Sequence, residues 1–445
     1  MFNLKKSLDS GRKKIFLRKI WLRSSDRDIT DKKLFRISLQ HDVWILISDC
    51  FFPNQKKEFF FVRNNNRQFS DMGGASTKTN NDIEGWKSVK MNSGYIRRAY
   101  HAGSWYSDDE ATLDSALSQY LAEAAKEDDH RANSRDASLS PETTSLRAII
   151  CPHAGFSYSG PTAAYGYNHL EQELAKQNSP IRHILVFHPS HHIYLDGCAI
   201  SGAQTIKTPL GDLPVDSDLR DEILNLAGKK KSRGGSTVSF SVMDRDVDES
   251  EHSGEMQYPF IAKVQKAACK TKGSTWIIPI LPIMCGNISN SKESEYGSLL
   301  ADIVARNDVL SVVSSDFCHW GHRFSYQPTP TSTGPKTTLE IFEFIQNLDR
   351  QGMRHIEMKE PGAFAKYLKE TRNTICGRHA IQIWLNAVVH AERARMDSVT
   401  CKSCGNNSGA LNIEFNKYAQ SSNVRSMRES SVSYASAIAR APMLL

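Results

Sequence analysis

The chain has 445 residues, of which 40% are apolar and 24% are charged, a composition typical of a soluble globular protein. Its apolar runs are shorter than the roughly 20 residues that a membrane-spanning helix requires, so we expect no membrane span. The net charge of +7 originates in residues 1–70, where 16 Lys and Arg accompany 7 Asp and Glu. Because the rest of the chain is close to neutral, the charge argues against nucleic acid as a partner.

The nine cysteines are scattered along the chain and odd in number. This pattern is typical of reduced thiols rather than of a disulfide framework. The first residues are basic, but the continuous apolar segment of a secretory signal does not follow them. We therefore expect a cytoplasmic protein, with the nucleus as a second compartment.

Residues 1–90 differ from the rest of the chain. Short basic runs alternate there with brief apolar patches, and a polar stretch follows. This composition predicts a disordered or spurious basic extension. From residue 91 to residue 445 we predict one α/β domain that is interrupted by polar insertions, near 127–145, 229–241, 327–337 and 396–410.

Within this domain, short apolar runs alternate with stretches of helical periodicity. Four runs predict buried strands, at 146–151, 183–187, 276–281 and 309–313. Helices are predicted at 109–126, 162–176, 217–227, 255–269, 292–306, 338–351, 361–370 and 375–395, and two further strand-like runs at 411–418 and 431–437. The alternation predicts an α/β fold in which helices cover both faces of a central parallel or mixed sheet.

Polar side chains follow three of the four predicted strands. His153 follows the first strand, His191 and His192 follow the second, and Asp316 and His319 follow the last. Ligands of open α/β sheets bind at the carboxyl ends of strands, and imidazole with carboxylate suits iron, zinc or copper. A single histidine in such a place is more often structural, but the repetition favours a site. Asp316 and His319 are three residues apart, so a helical turn would place them on one face.

Cys376 precedes the longest predicted helix. The helix dipole and Arg378 are expected to lower the pKa of its thiol, which would prepare a nucleophile or a soft metal ligand. An inert buried cysteine is an equally good interpretation. Glu251, His252 and Glu255 lie near the start of another helix, where they are candidates for orienting metal-binding histidines.

Several segments occur in the order in which a known family has them: YHAGSWY, CPHAGFSYSG, HPSHH, SSDFCHWG, NTICGRH, NKYAQSSNVR and ESSVSYA. In these segments the chain resembles the MEMO family, which is named for a mediator of growth-factor-driven cell motility. The resemblance runs from Met91 to the C-terminus, outside the polar insertions. It implies a fold similar to the class III extradiol dioxygenases of the LigB-like group, with a central mixed sheet flanked by helices.

The resemblance also implies a pocket that binds iron or copper. The metal ligands implied by the family motifs are His153, His191, Asp316, His319 and Cys376. His192, His252 and Glu255 are expected to surround these ligands and support the bound group. Cys376 and His319 are the candidates for a catalytic role.

The function implied is that of a metal-binding, redox-linked signalling protein that affects cell motility and the cytoskeleton. Its expected partners are phosphotyrosine-containing peptides or signalling and cytoskeletal proteins. One alternative is a metal-dependent dioxygenase-type enzyme that acts on a small aromatic substrate. The thiol of Cys376, where the iron enzymes rely on a carboxylate, argues against extradiol ring cleavage. The other alternative is a phosphopeptide-binding module with a vestigial metal pocket, to which Arg182 and Arg378 could contribute.

Overall fold

The computed structural model describes residues 43–46, 60–63, 94–132, 143–232, 238–330, 339–398 and 410–442. Its contacts divide the chain into two units, Met1–Glu84 and Gly85–Leu445. In the first unit, β1 (Val43–Leu46) pairs with β2 (Phe60–Arg63) in an antiparallel manner. Most of the predicted extension at 1–90, and much of each predicted insertion, lies outside the described residues, so those expectations stay predictions.

The second unit contains a large sheet, a small sheet and helices. Its strands are β3 (Tyr95–Arg97), β4 (Thr144–Cys151), β5 (His183–Pro189), β6 (Cys198–Ser201), β7 (Ala203–Ile206), β8 (Leu213–Pro214), β9 (Phe240–Met243), β10 (Ile280–Cys285), β11 (Val309–Ser314), β12 (His319–Trp320), β13 (Asn412–Gln420) and β14 (Ser431–Pro442). Its helices are α1 (Glu110–Ala132), α2 (Phe156–Ala175), α3 (Ser217–Ser232), α4 (Arg245–Ser250), α5 (His252–Glu255), α6 (Tyr258–Lys272), α7 (Asn290–Val304), α8 (Ile341–Glu357), α9 (Pro361–Thr371) and α10 (Arg378–Ser398).

The large sheet has a parallel centre and antiparallel flanks. Its strands lie in the order β12, β14, β4, β11, β5, β10, β6, β9, and β13 pairs with β14. The four central strands, from β4 to β10, are parallel, whereas β14 and β6 run antiparallel to their central neighbours. Because β11 lies between β4 and β5, the three strands that carry the candidate ligands end side by side. The small sheet is formed by β3, β7 and β8.

Helices cover this sheet on both faces. Every residue of β4, β10 and β11 is buried, which requires a layer on each side of the sheet. The helix α2 packs against α1 and α6, and α10 packs against α7 and against the central strands. These layers confirm the predicted α/β class with a mixed sheet flanked by helices. Within the described residues, no helix is long and apolar enough to cross a membrane.

Several element predictions differ from the structure. The third strand was expected at 276–281 but forms at Ile280–Cys285, because the buried apolar run starts later and Trp276 is 52% exposed. The first helix was expected to end at Lys126 but continues to Ala132, into the predicted insertion. The helical turn that would have placed Asp316 and His319 on one face does not form. Residues 315–318 belong to no helix, Phe317 and Cys318 exchange backbone hydrogen bonds with Ser433, and His319 begins β12, which pairs with β14.

Candidate metal centre

Three of the candidate ligands converge at the carboxyl ends of β4, β5 and β11. One ligand atom each of His153, His191 and Cys376 lies within 4.8 Å of the other two, which is a group that could hold a metal ion. The Nε2 atom of His153 is 3.0 Å from the Sγ atom of Cys376. His153 is buried, and 28% of the His191 side chain is exposed. The group therefore reaches from the interior of the protein to its surface.

The loop before α10 carries Cys376 to this place. The backbone N–H of Asp316 donates to Cys376 Sγ at 3.2 Å, and the N–H of Gly377 donates to Ser315 Oγ at 3.1 Å. A Cβ atom at Gly377 would lie 2.4 Å from the carbonyl oxygen of Ser314 and 2.4 Å from the Cβ of Ser315. Only glycine allows the loop to approach the end of β11 so closely, and this approach positions the thiol.

Ser314 determines which nitrogen of His153 carries the proton. Its hydroxyl donates to the carbonyl oxygen of Ser253 at 2.8 Å and accepts a hydrogen bond from Gln257 Nε2 at 2.9 Å. The single hydroxyl proton is thus in use, so Ser314 Oγ accepts from His153 Nδ1, 2.8 Å away. The lone pair of His153 then resides on Nε2, which faces the thiol of Cys376.

His191 is held by the carboxylate of Glu251. One oxygen of Glu251 is 2.9 Å from His191 Nδ1, and the other accepts the backbone N–H of His191 at 2.6 Å. Burial alone would lower the pKa of His191, but the charge of Glu251 outweighs it and raises that pKa well above its usual value. Burial would likewise raise the pKa of Glu251, but the charge of His191 holds it well below its usual value. The pair is thus an imidazolium and a carboxylate. The other ring nitrogen of His191, Nε2, also carries a proton in this form and lies on the side of the thiol.

The thiol of Cys376 differs from the expectation. Burial raises its pKa, against the smaller effect of His191, which lowers it. The predicted lowering of this pKa by the helix dipole and Arg378 is therefore wrong, because α10 starts only at Arg378 and the effect of burial is larger. Burial and the neighbouring His191 also lower the pKa of His153 well below its usual value. The pair is consequently a neutral thiol facing a neutral imidazole.

Asp316 and His319 lie beside this group rather than within it. Among the described residues, neither belongs to a set of three ligand atoms within 4.8 Å. Asp316 Oδ1 accepts the backbone N–H of His153 at 2.7 Å, and burial raises the pKa of its carboxyl to about 7. His319 Nδ1 lies 2.9 Å from the carbonyl oxygen of Phe317 and 3.1 Å from that of Thr374, so Nδ1 is protonated and Nε2 bears the lone pair. Burial lowers the pKa of His319 to about 4.

A second candidate group shares His191. Ligand atoms of His191, Glu251 and His252 also lie within 4.8 Å of one another. The ring of His252 stacks on Trp105 and on His191, with centroid distances of 4.3 Å and 4.6 Å. Its Nδ1 atom is buried and has no hydrogen-bond partner among the described residues. The ring of His192 lies 5.8 Å from that of His252, so both predicted supporting histidines adjoin the site.

Glu255 supports the site indirectly. Its carboxylate accepts hydrogen bonds from Arg97 Nη1 at 2.7 Å, from the backbone N–H of His101 at 2.7 Å and from the hydroxyl of Tyr106 at 2.8 Å. The fully buried Arg97 also donates to the carbonyl oxygen of Glu251 at 3.0 Å. The sequence predicted neither Arg97 nor Ser314 as part of the site. Ser314 could have been identified from its place in the SSDFCHWG segment. Arg97 could not, because it is distant in sequence from the segments that form the site.

The donor set fits a transition metal. Two imidazole nitrogens and one sulfur suit copper, zinc or iron and do not suit magnesium or calcium. The hydrogen bonds of Ser314 and Glu251 already direct the remaining nitrogens of His153 and His191 toward the thiol, as the partners of metal-bound histidines do. Binding would require the loss of the proton that Cys376 carries and of the Nε2 proton of the His191 imidazolium.

The chain is similar to a known protein family, to individual relatives and to a solved structure. Residues 97–438 match the family described as Memo-like protein. The chain is 38% identical over 344 residues to the protein memo-1 homolog of Caenorhabditis elegans, covering 77% of this chain and 82% of that protein. It is 36% identical over 339 residues to protein MEMO1 of Homo sapiens, covering 76% and 95%. A crystal structure of an uncharacterized protein from Escherichia coli K12 aligns at 12% identity with a TM-score of 0.34, over 65% of this chain and 99% of that chain.

Proposed function

Because this chain belongs to the Memo family, we propose that it is a metal-binding protein whose pocket holds iron or copper through His153, His191 and Cys376. The observation that carries the proposal is the convergence of these ligand atoms to within 4.8 Å of one another at adjacent strand ends. Asp316 and His319 complete the proposed pocket as neighbours that could join the metal. When bound, such a metal supplies one-electron exchange.

The protein's own residues prepare this pocket. Ser314 keeps the lone pair of His153 on Nε2, and Glu251 fixes the ring of His191 from the opposite side of the metal position. For a metal to bind, Cys376 Sγ and Nε2 of the His191 imidazolium would each release a proton to solvent, because each atom must offer a lone pair, whereas His153 Nε2 already has one. The partly exposed ring of His191 leaves the group accessible from the surface.

We further propose that this chemistry serves signalling that affects cell motility and the cytoskeleton, in the cytoplasm and the nucleus. Support comes from the names of the relatives, which are MEMO proteins. Exposed tyrosines accompany the site segments, with Tyr100 next to His101 and Tyr194 beyond His192, at 57% and 79% exposure. Such side chains suit contact with a peptide, so the proposed partners are phosphotyrosine-containing peptides or signalling and cytoskeletal proteins.

One observation favours the second candidate, a metal-dependent enzyme acting on a small aromatic substrate. The group of His191, Glu251 and His252 contains two imidazoles and one carboxylate, the donor set of oxygen-using iron enzymes. In the present arrangement, however, Glu251 is engaged with His191, and its pKa is held low by that charge. We therefore rank this function behind the thiol-containing centre.

Metal analysis of the full chain, purified without air and loaded with ferrous or cuprous ion, tests the proposal. We expect near-stoichiometric metal in the unaltered chain and in Cys269→Ala, whose thiol lies in the last turn of α6 and donates to the carbonyl oxygen of Trp276. Cys376→Ala should lose it. If Cys376→Ala retains iron and Glu251→Gln loses it, the second candidate replaces the first. If none of the proteins binds metal, both candidates fail and the vestigial pocket of a phosphopeptide-binding module remains.

A further inference from the structure

Cys198 and Cys285 lie directly opposite each other in the large sheet. Cys198 begins β6, Cys285 ends β10, and the two strands are antiparallel. In the next pair along the same strands, the N–H of Gly286 donates to the carbonyl oxygen of Gly197 at 2.9 Å. Because hydrogen-bonded and non-hydrogen-bonded pairs alternate in an antiparallel ladder, the two cysteines form a non-hydrogen-bonded pair, whose Cα atoms are typically about 4.5 Å apart.

The backbone contacts of the two cysteines agree with this assignment. The N–H of Cys198 donates to the hydroxyl of Tyr296 at 3.1 Å, and the carbonyl oxygen of Cys285 accepts the N–H of Ser190 at 3.2 Å. These groups therefore point away from the facing strand, as they do in a non-hydrogen-bonded pair. Side chains of directly opposite residues lie on the same face of the sheet, and a disulfide spans Cα separations of about 4.4–6.8 Å. The backbone thus already has a spacing that a disulfide can bridge.

The two thiols are in contact and are not equivalent. Burial and a hydrogen bond with Cys285 raise the pKa of Cys198 well above its usual value, so Cys198 keeps its proton and donates it to the sulfur of Cys285. Cys285 in turn donates to the carbonyl oxygen of Ile283 at 3.7 Å. A thiolate at Cys285 would be stabilised by the donor on Cys198, whereas a thiolate at Cys198 would lose that bond. Cys285 is therefore the attacking sulfur of the pair, and Cys198 is the thiol that resolves the product.

The position of the pair limits which oxidant can reach it. Cys198 and Cys285 are 1% and 2% exposed, which excludes a protein thiol or a bulky disulfide as the reaction partner. Asn287, two residues beyond Cys285, is exposed. The end of β10 is thus separated from the surface by about 7 Å of chain at most. Hydrogen peroxide, which is little larger than water and oxidises thiolates, suits this position.

We propose that Cys198 and Cys285 are a reversible redox pair that hydrogen peroxide converts into a disulfide. The Cys285 thiolate attacks one oxygen of peroxide and releases hydroxide, which leaves a sulfenic acid. The Cys198 thiol then attacks the sulfur of this group and releases water as the disulfide forms. In total the two thiols give up two electrons and two protons, and peroxide takes them up to become two molecules of water.

The new bond would lie next to a segment of the proposed metal centre. Ser190, whose N–H is held by the carbonyl oxygen of Cys285, directly precedes His191 in the chain. The disulfide itself requires only the two cysteines and peroxide. The proposal therefore holds whether or not the chain binds metal, and its test uses metal-free protein.

Peroxide treatment of the folded full chain, freed of metal by a chelator, tests the pair. After alkylation and digestion without reductant, mass spectrometry should find a peptide that links Cys198 to Cys285 and is lighter than the two free peptides by two hydrogen atoms. Dithiothreitol should reverse the link. Cys198→Ala and Cys285→Ala should each abolish it. The matched control is Cys151→Ala, which removes another fully buried thiol, one that donates to the carbonyl oxygen of Ala163, and the link should form there as in the unaltered chain.

A second measurement does not depend on the folding of any variant. Because a disulfide constrains the unfolded chain, peroxide should raise the denaturant midpoint of the unaltered chain, and dithiothreitol should restore the original value. Cys376→Ala should form the link as the unaltered chain does. The proposal is overturned if both thiols remain free after peroxide treatment of the folded chain, or if the link forms only in denaturant. A link that joins Cys376 to either cysteine in place of this pair would overturn it as well.

Discussion

The hydroxyl of Ser314 has a larger role in the candidate centre than its size suggests. It holds the Nδ1 proton of His153 and thereby leaves Nε2 free for a metal. In Ser314→Ala this acceptor is gone, and the imidazole can carry its proton on Nε2 instead. Since losing such a partner typically costs 10–100-fold in metal affinity, we expect a loss of roughly that size.

Competition with a chromophoric chelator measures this affinity. Ser311→Ala is the matched control, because Ser311 is a buried serine of the same strand whose hydroxyl has no hydrogen-bond partner among the described residues. Equal affinities in the two variants would show that Ser314 does not set the state of His153.

Glu251 is expected to control the protonation of His191. Its charge raises the pKa of His191 against the effect of burial, so Glu251→Gln should let that pKa fall toward or below the ordinary value near 6.5. The ring would then be neutral at pH 7 in the metal-free protein. An NMR titration of the His191 ring protons measures the change. In Glu249→Gln, where the lost carboxylate is one that binds Arg98, the pKa of His191 should stay high.

At this scale the sequence predicted the ligand types but not their partners. The motifs containing His153, His191 and Cys376 were sufficient to identify the three residues that meet. That Glu251 would bind His191 while Glu255 binds Arg97 depends on tertiary contacts, which periodicity along the chain does not contain. The direction of the Cys376 pKa shift was predicted wrongly for a related reason, since burial of the thiol, which the sequence does not show, raises this pKa.

The position of the thiol depends on the close contact between the loop that precedes α10 and the end of β11. A methyl group at Gly377 would meet the backbone of Ser314 and the side chain of Ser315 at 2.4 Å, and the backbone cannot give way easily. We therefore expect Gly377→Ala to destabilise the protein by about 1–3 kcal/mol, the usual cost of overpacking, and to displace Cys376 from His153.

Chemical denaturation and metal analysis measure both effects. The control is Gly362→Ala in α9, where a Cβ atom would meet nothing within 4 Å. That variant should be unchanged or slightly more stable, because alanine is favoured over glycine within a helix. Normal stability and full metal content in Gly377→Ala would contradict the proposed role of the loop.

Elements with buried apolar runs were predicted well, and those formed by pairing were not. The strands at β4, β5 and β11 follow from continuous apolar segments between polar turns. By contrast, β12 contains only His319 and Trp320 and exists because it pairs with β14, which is distant in the chain. The strand β10 was predicted four residues too early because Trp276 and its neighbours are apolar, which suggested a buried strand, although Trp276 is half exposed.

At the scale of the whole molecule, strand order is what creates the site. Alternating strands and helices predict that the strand ends share an edge, but not which strands are neighbours. The insertion of β11 between β4 and β5 brings Asp316 beside His153 and within reach of the loop that carries Cys376. Such an order is a property of the packed sheet, so it could be expected here only through resemblance to a known family.

The buried carboxyl of Asp349 should make the stability of the whole fold depend on pH. Asp349 of α8 accepts hydrogen bonds from Asn373 Nδ2 at 2.8 Å and from the Tyr418 hydroxyl at 3.0 Å, and it thereby joins α8 to β13 and to the segment before α10. Burial raises its pKa to about 6, against the opposing effect of these donors. In the unfolded chain the ordinary pKa is near 3.9.

Between these two values the folded state binds more protons than the unfolded state, so the contribution of Asp349 to stability is greatest below pH 4 and falls as the pH rises to 6. The difference corresponds to about 3 kcal/mol, since a tenfold change in proton affinity is worth about 1.4 kcal/mol.

Asp349→Asn removes this titration. The stability of the unaltered chain relative to this variant should therefore decline from pH 4 to pH 6 in denaturation experiments, and then remain constant. Asp302→Asn, at an exposed position, should show no such slope relative to the unaltered chain. A flat difference for Asp349→Asn across this range would mean that the carboxyl is already ionised in the folded protein at pH 4.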